Sequence, residues 1–279
     1  MVFSLVDKFL IGIGFAKCGT TQLSQLLGQH PGICSADIKE TNYLYNTPKS
    51  DISFTNYLSF FDSKTRRNRI KFECSVGYIE KIEEIFDKLD ILQIEYTLFC
   101  CLRHPVERSY SHFQFLKQQG KIRSSAKIWD LDDDHPVFEQ SRYEQYFREI
   151  VSIGQPLPVL IDFVDIKNNP QNVVSRLFEM LNLPDFIVDV NAVTSSKTYQ
   201  VRSQLLARVK SKIYHNLRER GYASILKWKL TKKLSSIFKI ILFKELIDPD
   251  RVEVEKYLEK KLHSDINYYK RLSIIASNK

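Results

Sequence analysis

The chain of 279 residues has no CxxC pair, no apolar run long enough to cross a membrane, no internal repeat and no low-complexity segment. Each absence removes a class. Five cysteines, Cys18, Cys34, Cys74, Cys100 and Cys101, are odd in number and carry no metal-binding spacing. They signal neither a disulfide framework nor a zinc site, and reduced thiols in a reducing compartment are the expectation. The apolar run from Phe9 to Phe15 contains two glycines, and the one from Ser236 to Phe243 is broken by Lys239. Neither approaches the ~20 residues of a membrane span. No signal peptide is visible, so the expected protein is soluble and cytoplasmic.

What is present is ordinary in amount and uneven in distribution. Hydrophobic residues make up 43% and charged residues 27%, which suits a folded chain with a sizeable core. The net charge is +8, which suits an anionic ligand, nucleic acid or an anionic surface. Residues 196–244 hold 13 Lys or Arg against one acid, Glu219, so the remainder is slightly acidic. This window reads as basic helices.

The periodicity is that of an α/β layer fold. Phe9–Gly14, Arg69–Cys74, Tyr96–Leu102 and Val159–Asp162 read as strands, and the continuous apolar run of the third is typical of a strand covered on both faces. Helices are predicted over Thr20–Gln29, from about Ile79 to Leu89, from Pro105 onward, and over Tyr143–Ile153 and Asn172–Leu181, with Lys127–His135 as a loop. Alternating strands and helices predict a P-loop-type three-layer fold: a central parallel sheet flanked by helices, with a C-terminal helical region closing over Arg251–Leu272. The division expected is one domain, with an α/β core over 1–195 and a basic, mainly helical part over 196–279.

Two segments carry chemistry. Gly14-Phe-Ala-Lys17-Cys18-Gly19-Thr20-Thr21 lies between a predicted strand and a predicted helix, where backbone N–H groups and a helix start form an anion cradle. The Walker pattern nearly fits, with Gly14 and Gly19 correctly spaced, but Thr20 stands where its lysine belongs and the lysine sits earlier, at Lys17. That departure weakens a P-loop kinase or GTPase reading. The second segment, Leu102-Arg103-His104-Pro105-Val106-Glu107-Arg108-Ser109-Tyr110-Ser111, begins where a buried strand ends. Ligands of open α/β sheets bind at such ends, and arginine offers a planar donor fork suited to phosphate. Arg108 and Ser111 share a helix face; Arg108 is equally readable as a surface charge paired with Glu107.

Together these segments resemble the superfamily of sulfotransferases that use 3′-phosphoadenylyl sulfate (PAPS), nearest to its bacterial members and to heparan sulfate N- and 3-O-sulfotransferase domains. The resemblance implies that Lys17, Cys18, Gly19, Thr20 and Thr21 hold the donor's 5′-phosphosulfate, and that Arg103 and Ser111 hold its 3′-phosphate. Lys39-Glu40-Thr41-Asn42-Tyr43 is similar to the family's segment with the acceptor-activating base, which falls on Glu40, with Lys17 stabilising the leaving nucleotide. Phe72-Glu73-Cys74-Ser75 and Ser141-Arg142-Tyr143 are similar to later cleft-lining segments and imply substrate contacts at Glu73 and Tyr143. Glu73 is the alternative base, or a strand-end partner of Lys17 or Arg103.

Heparan sulfate enzymes carry a lysine where Cys74 stands here, so the second cation and the glycosaminoglycan acceptor do not transfer with the resemblance. Lys197 or Arg202 is the expected closing loop. The implied reaction moves a sulfuryl group to a hydroxyl or amine of a carbohydrate, lipid or small metabolite, with PAPS as donor and no metal. His30, His104 and His112 read as structural. No nucleic-acid partner is expected; binding of DNA or an anionic membrane surface through 196–244 is the non-enzyme alternative. Oligomeric state is not legible.

Overall fold

A computed structural model of the chain describes residues 8–61, 69–193, 199–201, 243–245 and 250–278. The chain divides into two compact units, each discontinuous in sequence.

The first unit comprises Met1–Pro105, Gln140–Ser195 and Ser264–Lys279. Its centre is a five-stranded, wholly parallel sheet of β1 (Lys8–Gly14), β2 (Ile33–Ser35), β3 (Ile70–Cys74), β4 (Glu95–Leu102) and β5 (Val159–Asp162), in the order β2-β3-β1-β4-β5. β1 is central and buried along its length after Lys8, which explains its unalternating apolar sequence. The helices are α1 (Thr20–Leu27), α2 (Tyr43–Asn46), α3 (Phe54–Leu58), α4 (Ile82–Leu92), α7 (Tyr143–Ser152), α8 (Phe163–Asn168), α9 (Pro170–Met180) and α11 (His263–Asn278), the last entering from the second unit. Each longer helix buries one stripe: Leu23, Leu26 and Leu27 on α1; Ile82, Ile85, Phe86 and Leu89 on α4; Val173, Val174, Leu177 and Phe178 on α9. Pro170 opens α9 at a position where its missing N–H costs nothing. α1 packs with α9 and α4 with α7.

This topology sets the position of the site. The connection from β1 leads toward β2 and β3, while β4, its other neighbour, leads to β5 on the opposite side. A parallel sheet whose connections diverge in this way opens a crevice outside the carboxyl ends of the two strands. Lys17 follows the end of β1, and Arg103 follows the end of β4.

The second unit comprises Val106–Glu139 and Ser196–His263. It holds most of α5 (Pro105–Gln118), α6 (Pro136–Glu139), α10 (Arg251–Lys261) and an antiparallel pair, β6 (Tyr199–Val201) with β7 (Phe243–Glu245). Within the basic window the described residues belong to these two three-residue strands, too short to show a periodicity; the helices expected over the rest of 196–244 lie outside the described residues. Val106, Tyr110, Phe113, Val137, Phe138, Val254, Leu258 and Leu262 are buried. Arg251 stacks its guanidinium 3.8 Å from the Tyr110 ring and pairs with Glu107 and Glu255. Glu107 thus has Arg251 as an ion-pair partner. Arg108 is fully buried, donating to the Val137 carbonyl and lying 3.3 Å from His112 Nδ1. Among the described residues no helix is long and apolar enough to cross a membrane.

Candidate functional site

The loop after β1 is held open by backbone conformations that few residues adopt. Gly14 and Gly19 have φ of 131° and 88°, and Lys17, a non-glycine, has φ of 73°. Gly19 leaves no room for a side chain, since a Cβ there would lie 2.6 Å from the Phe163 ring. Gly19 also starts α1 with no side-chain cap, and no acid stands in the first turn. The N–H groups of that turn and the positive end of the helix dipole are therefore uncompensated by the usual carboxylate or hydroxyl. Thr20, at the Walker lysine position, is buried, and its hydroxyl meets the Cys74 thiol.

Arg103 joins this loop from the neighbouring strand. Its Nη1 donates to the Lys17 carbonyl at 3.2 Å, and its guanidinium lies 4.6 Å from the Phe163 ring centre. The two cations therefore converge on one strand-end edge. Lys17 records the crowding: burial first, then the charges of Arg103 and Lys39, bring its ammonium down to a pKa of about 8.

Residues 140–143 hold both loops from beneath. Gln140 Oε1 accepts from Ala16 N–H at 3.1 Å and its amide donates to Glu80. The Ser141 hydroxyl donates to the Pro105 carbonyl at 3.1 Å, and the Tyr143 hydroxyl to the Arg103 carbonyl at 2.6 Å. Tyr143 is wholly buried against Phe15, with no surface for an acceptor. Its expected substrate contact is replaced by a grip on the Arg103 backbone. Cys18 is likewise buried, its sulfur 3.9 Å from the same hydroxyl.

Two carboxylates stand nearby in contrasting surroundings. Glu73, at the end of β3, is only 2% exposed. Its Oε1 accepts from the Tyr57 and Tyr78 hydroxyls at 2.7 and 2.8 Å, and its Oε2 from Ser75 at 3.0 Å and from Thr41. A carboxylate offers about four lone-pair sites, and here four hydroxyls fill them. Burial and then the Glu73 charge push both tyrosine hydroxyls well above their ordinary pKa, which keeps them protonated and donating. The expected pairing of Glu73 with Lys17 or Arg103 is thus replaced by a hydroxyl cage.

The cage also sets the segment before α2. Ser75 Oγ accepts from Asn42 N–H, and the Tyr78 hydroxyl from Leu44 N–H. Glu40, in that segment, is partly exposed, has φ of 59°, and meets Lys39 Nζ at 2.6 Å. Its charge acts on Lys17 and on Cys74. Cys74, where heparan sulfate enzymes have lysine, is a buried neutral thiol, pushed up to about 12 chiefly by burial.

The histidines read as structural make backbone and ring contacts. His30 Nδ1 accepts from Gly32 N–H, which puts the proton on Nε2 for the Pro184 carbonyl at 2.9 Å. His104 packs edge-on against Tyr269.

Sequence reasoning missed Gln140, Asp162 and Phe163. Asp162 caps α8 through Val164 N–H and accepts from the Tyr269 hydroxyl at 2.7 Å, so α11 is fastened beside Phe163. Its signal was available: Asp162 is a polar residue at a strand end, as Arg103 is. Ser111 lies on α5 in the second unit, and Lys197 and Arg202 lie outside the described residues.

No family model matches the chain, and no curated protein matches it by sequence. Among solved structures, a sulfotransferase from Alicyclobacillus acidocaldarius is similar over 68% of this chain and 86% of its own, at 22% identity and a TM-score of 0.51. A sulfotransferase domain of the Synechococcus PCC 7002 olefin synthase aligns over 75% and 95%, at 13% identity and a TM-score of 0.47. One from the curacin biosynthetic pathway aligns over 68% and 81%, at 15% identity and a TM-score of 0.45. At these identities the likeness is one of fold, carried by the first of the three: the parallel sheet and its helices have the fold of a sulfotransferase.

Proposed function

We propose that this chain transfers a sulfuryl group from PAPS to a hydroxyl or amine of an acceptor. The observation that carries the reading is the 3.2 Å bond from Arg103 to the Lys17 carbonyl, which joins cations from two adjacent strand ends at the switch point of the sheet. The donor bears phosphate and phosphosulfate groups at opposite ends of one nucleoside. Two basic loops meeting at one edge match that distribution of charge, and a helix start lacking both cap and acid matches an anion. In this reading the N–H groups of Gly19, Thr20 and Thr21 cradle the phosphosulfate and Arg103 takes the 3′-phosphate. Assignment of Ser111 to that phosphate rests on its sequence motif.

The chemistry follows from the neighbourhood. The acceptor oxygen or nitrogen attacks sulfur, and the bond from sulfur to the phosphate oxygen breaks with its electron pair left on the phosphate. The acceptor's proton passes to a base. Glu40 suits that role: its carboxylate is partly exposed, pairs with Lys39 at the surface, and its charge acts on Lys17. Glu73 does not, because four hydroxyls already occupy its oxygens; it holds the Glu40 segment through Thr41. Lys17 offsets the charge that develops on the departing phosphate. Incubation with labelled PAPS and a panel of sugars, lipids, amines and phenols tests the reading. Transfer of label to an acceptor supports it; phosphoryl transfer from ATP with no use of PAPS would overturn it.

A further inference from the structure

Tyr269, near the middle of α11, is buried. Its ring meets the His104 ring edge-on, with centres 5.5 Å apart, and lies 6.4 Å from the Tyr143 ring. Phenylalanine would fill that space equally well. What tyrosine adds is a hydroxyl, which donates to Asp162 Oδ2 at 2.7 Å. Burial, and then the bond to Asp162, holds that hydroxyl well above its ordinary pKa, so it stays protonated and donating.

Asp162 is only 4% exposed, and a carboxylate so placed is costly unless its oxygens are bonded. Oδ2 takes the tyrosine hydroxyl, and Oδ1 takes Val164 N–H at 2.8 Å. Phe163 stands between Asp162 and Val164, so these bonds fix the backbone on both sides of it. The Phe163 ring has two neighbours in the cationic edge. The Arg103 guanidinium lies 4.6 Å from its centre, and the ring fills the space where Gly19 would carry a Cβ. α8 is also held along its length. Gln22 of α1 donates to the Ile166 carbonyl at 3.3 Å, and Ser277 of α11 donates to Asp165 at 3.2 Å. α11 is fastened to α9 in turn, where Arg176 Nη2 donates to the Ala276 carbonyl at 2.9 Å.

We propose that Tyr269 is a positioning residue for the donor's 3′-phosphate: its hydroxyl fixes Asp162, Asp162 fixes the start of α8, and α8 holds the Phe163 ring on which the Arg103 guanidinium rests. A binding group is only as well placed as the side chains that support it. The nucleotide site is therefore completed by a helix that begins 160 residues after Arg103. The inference rests on the sulfotransferase reading above and assigns a role within it.

Calorimetric titration with 3′-phosphoadenosine 5′-phosphate and with adenosine 5′-monophosphate, which lacks the 3′-phosphate, isolates the effect. Tyr269→Phe should weaken the bisphosphate about three- to fivefold and leave the monophosphate within about twofold. In a Phe163→Leu background the same substitution should cost nothing further, because the route through the ring is already cut. The coupling is reciprocal. In the wild-type protein the bisphosphate should slow amide hydrogen exchange over residues 263–278 severalfold more than the monophosphate does, and Tyr269→Phe should abolish that difference. A Tyr269→Phe variant that melts lower yet keeps the wild-type preference between nucleotides, or a loss that adds to that of Phe163→Leu, overturns the positioning role alone. Equal protection of 263–278 by the two nucleotides does the same and needs no variant. A wild-type protein that binds the two nucleotides equally overturns the sulfotransferase reading and the positioning role with it.

Discussion

Glu40 is the chain neighbour of Thr41, which donates to Glu73, and the surroundings of the two carboxylates differ sharply. Glu73 sits at a strand end beneath the surface, its oxygens filled by Tyr57, Tyr78, Ser75 and Thr41. Glu40 has φ of 59°, is partly exposed, pairs with Lys39, and acts on Lys17. A saturated carboxylate has no lone pair left for chemistry and acts as scaffold; a partly exposed one can gain a proton and lose it again.

The sharpest way to break this contrast is to remove each acid function in turn. Glu40→Gln should lower turnover by about 10² to 10⁴-fold, the usual contribution of a general base, with the melting temperature unchanged. Glu73→Gln should show the opposite split. Its amide presents hydrogens to hydroxyls that were donating, at a cost of about 1–3 kcal/mol, lowering the melting temperature by several degrees. Its turnover should fall less than that of Glu40→Gln, through loosening of the Thr41 tether. A Glu73 variant of normal stability and abolished turnover would exchange the two roles.

Smaller effects sharpen the picture of the cationic edge. Arg103→Ala should weaken 3′-phosphoadenosine 5′-phosphate about 10- to 100-fold, as expected for a charged hydrogen bond. The pH profile should fall on the alkaline side from about pH 8, where Lys17 loses its proton: its pKa is depressed from 10.5, so the charged form is full below that pH and lost above it. A rate flat from pH 7 to 10 would separate Lys17 from catalysis. Phe163→Leu, which removes the platform under the Arg103 guanidinium while keeping bulk beside Gly19, should weaken donor binding only a few-fold.

The sheet was legible because β1 and β4, buried along most of their length, write continuous apolar runs and β3 alternates; β1, β3, β4 and β5 all lie where those patterns predict. β2 was not, since Ile33–Ser35 offers three residues and no period, and neither were the single-turn helices α2 and α3. The cationic half of the site was legible for a topological reason: a basic residue just past a buried strand is placed by the sheet itself, and this brings Lys17 to Arg103. The supporting half was hidden. Nothing local in Gln140 announces a bond to Ala16 N–H across 124 residues, and the burial of Tyr143 depends on how α7 packs. Glu73 was visible as an acid at a strand end, but its neutral company of hydroxyls comes from three separate segments and appears only once they are folded together.

The central claim is that Lys17 and Arg103 grip one bisphosphorylated nucleotide. Its most direct test is calorimetric titration of the wild-type protein with 3′-phosphoadenosine 5′-phosphate and with adenosine 5′-monophosphate, repeated for Arg103→Ala. The account predicts binding of the bisphosphate at least about tenfold tighter than the monophosphate, with that preference lost in the variant. Equal affinity of the wild-type protein for the two nucleotides, or a preference that survives loss of Arg103, would contradict it.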